Sequence, residues 1–152
     1  MAKFELQLPT EIINDMKKVH DNYEEIFGGM TRAGAEVVLE NVKKNVPASF
    51  KTSLIMDNIG LTRTYKTPSD DGINTKVTID GYFYTKPNKH GRVQKVPAPL
   101  VANMFEYGSS KRGGKYEKPP KQPFLRKSFK KGPIEKAMYK AQKELSGGLL
   151  DE

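Results

Sequence analysis

Met104-Phe105-Glu106-Tyr107-Gly108-Ser109-Ser110 and, beyond a basic stretch, Gln122-Pro123-Phe124-Leu125-Arg126 are the two blocks on which the fold turns. The first ends an apolar segment that follows Pro97-Ala98-Pro99 and runs through Leu100, Val101, Met104 and Phe105. Proline suits the first turn of a helix, where its missing N–H has no partner to lose, and a glycine just past the last apolar residue suits a C-terminal cap. The spacing predicts a short helix over 99–107, closed by Gly108. Pro123 opens a final helix over 123–146. Phe124, Leu125, Ser128 and Phe129 form its inner face, Gly132-Pro133 interrupts it, and Ile134, Met138, Ala141 and Leu145 resume its helical steps. The intervening residues 109–122 are rich in Gly, Pro, Lys and Arg and read as a basic loop; residues 147–152 are a short acidic tail.

Toward the N-terminus, residues 1–9 alternate Phe4, Leu6 and Leu8 with polar residues, as an extended arm would. Thr10 fits an N-cap, and Glu11 places negative charge in the first turn, where the helix dipole favours it. A stripe of Ile12, Ile13, Met16, Val19, Tyr23, Ile26, Phe27, Met30, Gly34, Val37, Val38 and Val42 then advances in steps of three and four and keeps phase across Gly28-Gly29. This favours one long helix over 10–46, bent at the glycine pair. Each interior glycine costs about 1 kcal/mol relative to alanine, so a break there is the alternative. Pro47 ends the helix by excluding helical geometry at Val46. So long a stripe needs a partner surface, either its own sheet or neighbouring subunits.

Residues 48–58 read as a connector. Ile59 to Thr67 alternates as a strand, and Pro68-Ser69-Asp70-Asp71-Gly72 is a turn. Thr75 to Tyr84 is a second β region, in which Asp80-Gly81 is either a two-residue hairpin turn or a bulge in a longer strand. Residues 85–97 are a polar, basic excursion, read as a projecting loop or loose hairpin. The expected architecture is one α+β domain, with a long N-terminal helix and a C-terminal helix packed on a small antiparallel sheet of three to four strands.

The chain has 152 residues, enough for one domain with a real core, and no cysteine, which excludes disulfides, cysteine-based zinc sites and cysteine nucleophiles. No apolar run is long enough for a transmembrane helix, and the first residues do not resemble a secretory signal, so no membrane partner is expected. The net charge of +8 is unevenly spread. Residues 1–50 carry six Lys/Arg against eight Asp/Glu, whereas residues 108–145 carry twelve against three. A basic excess so concentrated attracts polyanions or an acidic protein face. The candidate contacts are Lys111, Arg112, Lys115, Lys118, Lys121, Lys127, Lys130 and Lys131; a solubilising surface is the plainer reading of the same charges.

Catalytic and metal constellations are not evident in the sequence. His20 lies in the first helix and reads as a partly exposed or packed side chain, and His90 precedes Gly91 in a basic loop with no nearby carboxylate; Asp70-Asp71 and Asp80 precede glycines and read as turns. Gly113-Gly114-Lys115 lacks the earlier glycine and the following Ser/Thr of a phosphate loop. Glu106 stands alone among Phe105 and Tyr107. General acid catalysis would need a partner there, so the acid reads as structural, pairing with a cation or capping backbone. No cofactor, metal or enzymatic activity is expected.

Phe105-Glu106-Tyr107-Gly108-Ser109 and Pro123-Phe124-Leu125-Arg126, in this order and joined by a loop, resemble the tail-component (tail-completion) proteins of long-tailed bacteriophages, which sit at the head–tail neck. The order of parts is similar from the first helix to about Leu145. Thr52-Ser53-Leu54 and Asn58-Ile59 follow that family's pattern only loosely, since its glycine is absent. The resemblance implies a non-enzymatic virion protein, assembled in the host cytoplasm as a ring of identical copies between the head connector or stopper and the tail-terminator or tail-tube proteins. It also implies arms and loops that meet neighbours, with DNA passing nearby. A small basic nucleic-acid-binding protein is the alternative, which explains the charge but not the paired motifs.

Overall fold

The computed structural model describes residues 9–48, 56–69, 71–84, 87, 89–108 and 122–147. The class is α+β. Helices α1 (Thr10–Asp21) and α2 (Tyr23–Asn45) come first, then strands β1 (Ile59–Leu61), β2 (Tyr65–Lys66), β3 (Ile73–Asn74), β4 (Val77–Ile79), β5 (Tyr82–Tyr84) and β6 (Lys95–Pro97). Helices α3 (Ala98–Tyr107), α4 (Leu125–Ser128) and α5 (Lys131–Leu145) complete the order.

The N-terminal helix is divided, and the division falls at Asn22 rather than at the glycine pair. Asn22 has φ −108° and ψ 11°, off helical values. Its side-chain amide donates to the Lys18 carbonyl (3.0 Å), which already accepts the Asn22 backbone N–H (3.1 Å). A polar side chain that competes for a backbone acceptor distorts a helix locally without ending it. The Ile26 N–H still donates to the Asn22 carbonyl (3.0 Å), so the apolar phase survives the joint. Thr10 is not the N-cap: Pro9 holds that position, and no side chain caps the helix.

Gly29 lies inside α2 where α5 crosses, whereas a Cβ on Gly28 would only touch Thr64 Cγ2 at 3.5 Å. A Cβ on Gly29 would run into the Leu145 side chain, and one on Gly34 would come within 2.9 Å of Met138 Cγ. Glycine is retained where another helix needs the space. Val46, at φ −56° and ψ 126°, leaves the helix ahead of Pro47. Helix α2 is the spine of the molecule. Val38, Val42 and Val46 meet Ile59, Ala102 and Phe124 in the buried core, with Met56, Val77, Phe83, Phe105 and Ile134 packed around them.

The strands form three two-stranded antiparallel ladders, β1–β4, β2–β3 and β5–β6, in place of one sheet of three to four strands. Ile59 pairs with Ile79 and Leu61 with Val77, while Tyr65 pairs with Asn74. Thr62–Thr64 therefore oppose only Thr75 and Lys76, the count of a β-bulge. The bulge is satisfied locally: the Thr62 N–H donates to the Lys76 carbonyl (2.9 Å) and the Lys76 N–H to Thr62 Oγ1 (2.9 Å). Asp80-Gly81 is not a hairpin turn, since β4 and β5 do not pair. There the chain passes from pairing with β1 to pairing with β6, and glycine suits position 81 twice over, by its φ of 84° and because a Cβ would meet Asn58 Oδ1 at 2.8 Å. Residues 95–97 of the expected projecting loop are strand β6, in register with β5.

Lys66 ties the start of α2 to the β2–β3 turn. Its ammonium donates to Tyr23 Oη (2.8 Å) and Glu24 Oε1 (3.3 Å) and lies 3.5 Å from Asp71. The final helix breaks after Ser128. Gly132-Pro133 fall in the first turn of α5, where the missing proline N–H has no helical partner to lose.

Candidate functional site

Helix α3 buries Ala98, Ala102 and Glu106, each four residues from the last. That single line of residues carries a carboxylate into the core side of the helix. Its side chain is only 1% exposed. Helix α4 begins beneath it with backbone N–H groups that no earlier turn can accept. The N–H groups of Phe124 and Leu125 donate to Glu106 Oε2 (2.9 Å each), and that of Arg126 donates to Oε1 (3.2 Å). A carboxylate at a helix N-terminus is favoured by both the free donors and the dipole. Arg126 adds its own charge, with Nε 3.6 Å from Oε1 and its guanidinium 4.9 Å from the centre of the Tyr107 ring. Tyr107 and, less strongly, Glu106 raise the Arg126 pKa further above its ordinary value.

The corner is closed by backbone and side chains together. Gly108 has φ 83° and ψ 164°, a region open essentially to glycine alone. The Gln122 N–H donates to the Phe105 carbonyl (2.9 Å), so both ends of segment 109–121 are held at one place. Ser128 Oγ donates to the Phe124 carbonyl (2.5 Å), Asn45 Nδ2 donates to Ser128 Oγ (3.0 Å), and Asn41 Nδ2 donates to the Ser128 carbonyl (3.3 Å). Helix α2 thus holds α4 at Ser128, its last residue, while Glu106 holds its first turn. Asn41 and Asn45 were not singled out in the sequence for this polar role, although two asparagines four apart beside an apolar stripe are a signal for it.

The structure therefore brings Phe105, Glu106, Tyr107, Gly108, Pro123, Phe124, Leu125 and Arg126 into one corner. Ser109, Lys111, Arg112, Lys115, Lys118 and Lys121 lie outside the described residues. Lys127 and Lys130 are exposed, and Lys131 is exposed in a 3.5 Å ion pair with Glu135. Phe129, placed on the inner face by its spacing, is 65% exposed, because the chain turns out of α4 at this residue (φ −82°, ψ 80°). Both Glu106 oxygens accept from backbone donors, so the corner ties two chain segments together. Among the described residues no group of three or more His, Asp or Glu could hold a metal ion, and no helix is long and apolar enough to cross a membrane.

Three surfaces remain as contact candidates. An open groove of about 450 Å³ runs between α2, the β3–β4 segment and α5, lined chiefly by apolar side chains. Helix α1 buries none of its residues and leaves Ile12 48% and Met16 65% exposed. The β5–β6 hairpin exposes Tyr82 and Tyr84, with Lys95 Nζ 3.9 Å from the centre of the Tyr82 ring. No protein-family model, no curated protein and no solved structure matches the chain.

Proposed function

We propose that this chain is a structural protein of a tailed-bacteriophage neck, a tail-completion or head–tail connector subunit that assembles as a ring between the head connector and the tail tube. The observation that carries the reading is the meeting of the two sequence blocks. Glu106 of the first caps the helix opened by the second, across 18 to 20 residues of chain. This supplies a physical reason for the blocks to occur as a pair, and the pair is what resembles the neck proteins. The exposed apolar face of α1 and the open groove add support, because a subunit made for a ring needs surfaces its own core does not cover. Its place would be the virion neck, with head-connector and tail-tube proteins as axial neighbours. Mass spectrometry of purified particles of the encoding phage, with imaging of their necks, tests the reading. The chain is expected in the particles at the stoichiometry of a ring; its presence in infected-cell lysate but never in particles overturns the proposal.

The β5–β6 hairpin favours a second reading, binding to nucleic acid. Residues 82–97 contain four Lys/Arg and no acid, and two exposed tyrosines stand on one face of β5. Basic groups interleaved with aromatic faces suit phosphate contact and base stacking. This reading expects DNA affinity that falls steeply with salt and a shallower salt slope for Lys95→Glu. Absence of binding at about 150 mM salt, near physiological ionic strength, removes it.

A further inference from the structure

We propose that α1 of one copy seats its Ile12–Met16–Val19 face in the α2/β3–β4/α5 groove of the next copy, and that this head-to-tail contact builds the ring. The inference rests on the ring reading above and names the two surfaces that form it.

Ile12, Met16 and Val19 are spaced four and three apart, so they share one face of α1, with Ile13 at its edge. That face has no core of its own, since no residue of α1 is buried. The groove presents the complementary lack. Ala35, Val38, Ile73, Val77 and Met138 line it, with Phe129 on its lip, and the space between them is open.

A chain cannot fill its own groove with its own α1. The Asn22 joint keeps two helical hydrogen bonds, Asn22 N–H to the Lys18 carbonyl and Ile26 N–H to the Asn22 carbonyl. Helix α1 therefore continues the run of α2, whereas the groove lies alongside α2 from Thr31 onward. Folding back would require breaking the joint.

Charge is consistent with the same pairing. The apolar face of α1 is bordered by Glu11 and by Asp15, which pairs with Lys18 (3.3 Å), and the charged residue that lines the groove is Lys76. Helix α1 itself carries Glu11, Asp15 and Asp21 against Lys17 and Lys18. Residues 122–147, which supply one wall of the groove, carry seven Lys/Arg against two Glu. The weakly acidic α1 of one copy is attracted to the basic C-terminal wall of another. Because donor and acceptor are different surfaces, the contact is heterologous; it propagates from copy to copy and ends when the rotation closes.

The chain contains no cysteine, so single cysteines report contacts cleanly. Met16→Cys and Ile73→Cys variants, mixed and oxidised, are expected to give disulfide-linked dimers that neither gives alone. Lys44→Cys, on the exposed side of α2, serves as the control in place of Ile73→Cys. Separately, Ile12→Asp/Met16→Asp is expected to keep the circular dichroism spectrum and Tm of the folded subunit while light scattering shows the assembly reduced to monomers. Two results overturn the contact and leave the ring reading standing: assembly of the double aspartate variant as in the wild type, or cross-linking of Met16→Cys to Ile73→Cys no faster than to the control. A wild-type protein that stays monomeric at every concentration, and within particles makes no ring, overturns both.

Discussion

The apolar stripe that begins at Ile12 and ends at Val42 has one periodicity and two environments. In α2, Ile26, Val38 and Val42 are buried, and the glycines at 29 and 34 let α5 approach closely. In α1, Ile12, Ile13 and Met16 continue the pattern into solvent. The same spacing thus serves packing within the chain in one half and leaves a free face in the other. Amphipathicity states that a helix face will be covered; it does not state by what.

The contrast can be broken most severely at the packed end. Phe124→Ala empties the centre of the core, and Glu106→Ala leaves three backbone N–H groups without their acceptor; each is expected to cost about 3–5 kcal/mol in urea unfolding. The pair will not add, because both act on one corner. Gly34→Val is expected to cost about 1–3 kcal/mol by pressing α2 against Met138 and Ile134. A cost near zero would mean that the α2–α5 crossing is loose. In the free half, Ile12→Ser with Met16→Ser is expected to change subunit stability in dilute solution by no more than about 0.5 kcal/mol. An effect as large as that of Gly34→Val would show that α1 is packed after all.

The smallest effect concerns pH. Tyr23, by its hydrogen bond, and then Lys66 lower the Glu24 pKa below the ordinary carboxylate value. A carboxylate whose folded pKa is depressed contributes stability that is present above its unfolded pKa and is lost as pH falls through the folded one. For this solvent-exposed group the contribution is slight. Carboxyl NMR titration is expected to place Glu24 below the ordinary glutamate value, with Lys66→Met raising it part of the way and Tyr23→Phe raising it further.

What the sequence made legible follows the range of the forces involved. Pro47 and its effect on Val46, Gly108 after Tyr107, and the α+β class rest on local geometry, which residue types declare. Glu106 was legible as a structural acid because nothing near it suggested a reaction partner, yet its acceptance of the Phe124, Leu125 and Arg126 N–H groups depends on chain 18 to 20 residues away. The division at Asn22 was not legible, because a joint that keeps the flanking helical bonds leaves the periodicity intact. The glycine pair suggested a bend for a reason that was only local. The reason at Gly29, room for α5, is tertiary. The handover at Asp80-Gly81 likewise depends on Asn58 and on β6, neither of which the dipeptide can announce.

The Glu106 corner has a consequence for how this chain can vary. The hydrogen bond from Gln122 to Phe105 and the three bonds to Glu106 bring the two ends of segment 109–121 together independently of what lies between them. An insertion between Gly108 and Gln122 leaves these four bonds in place, and by chain statistics each doubling of the length to be closed costs only about 0.6 kcal/mol. Residues can therefore be added to or removed from this segment, or an epitope or fluorophore tag grafted into it, at little cost to the core. Sequence change between Gly108 and Gln122 is thereby separated from the body of the protein, which the corner holds on its own.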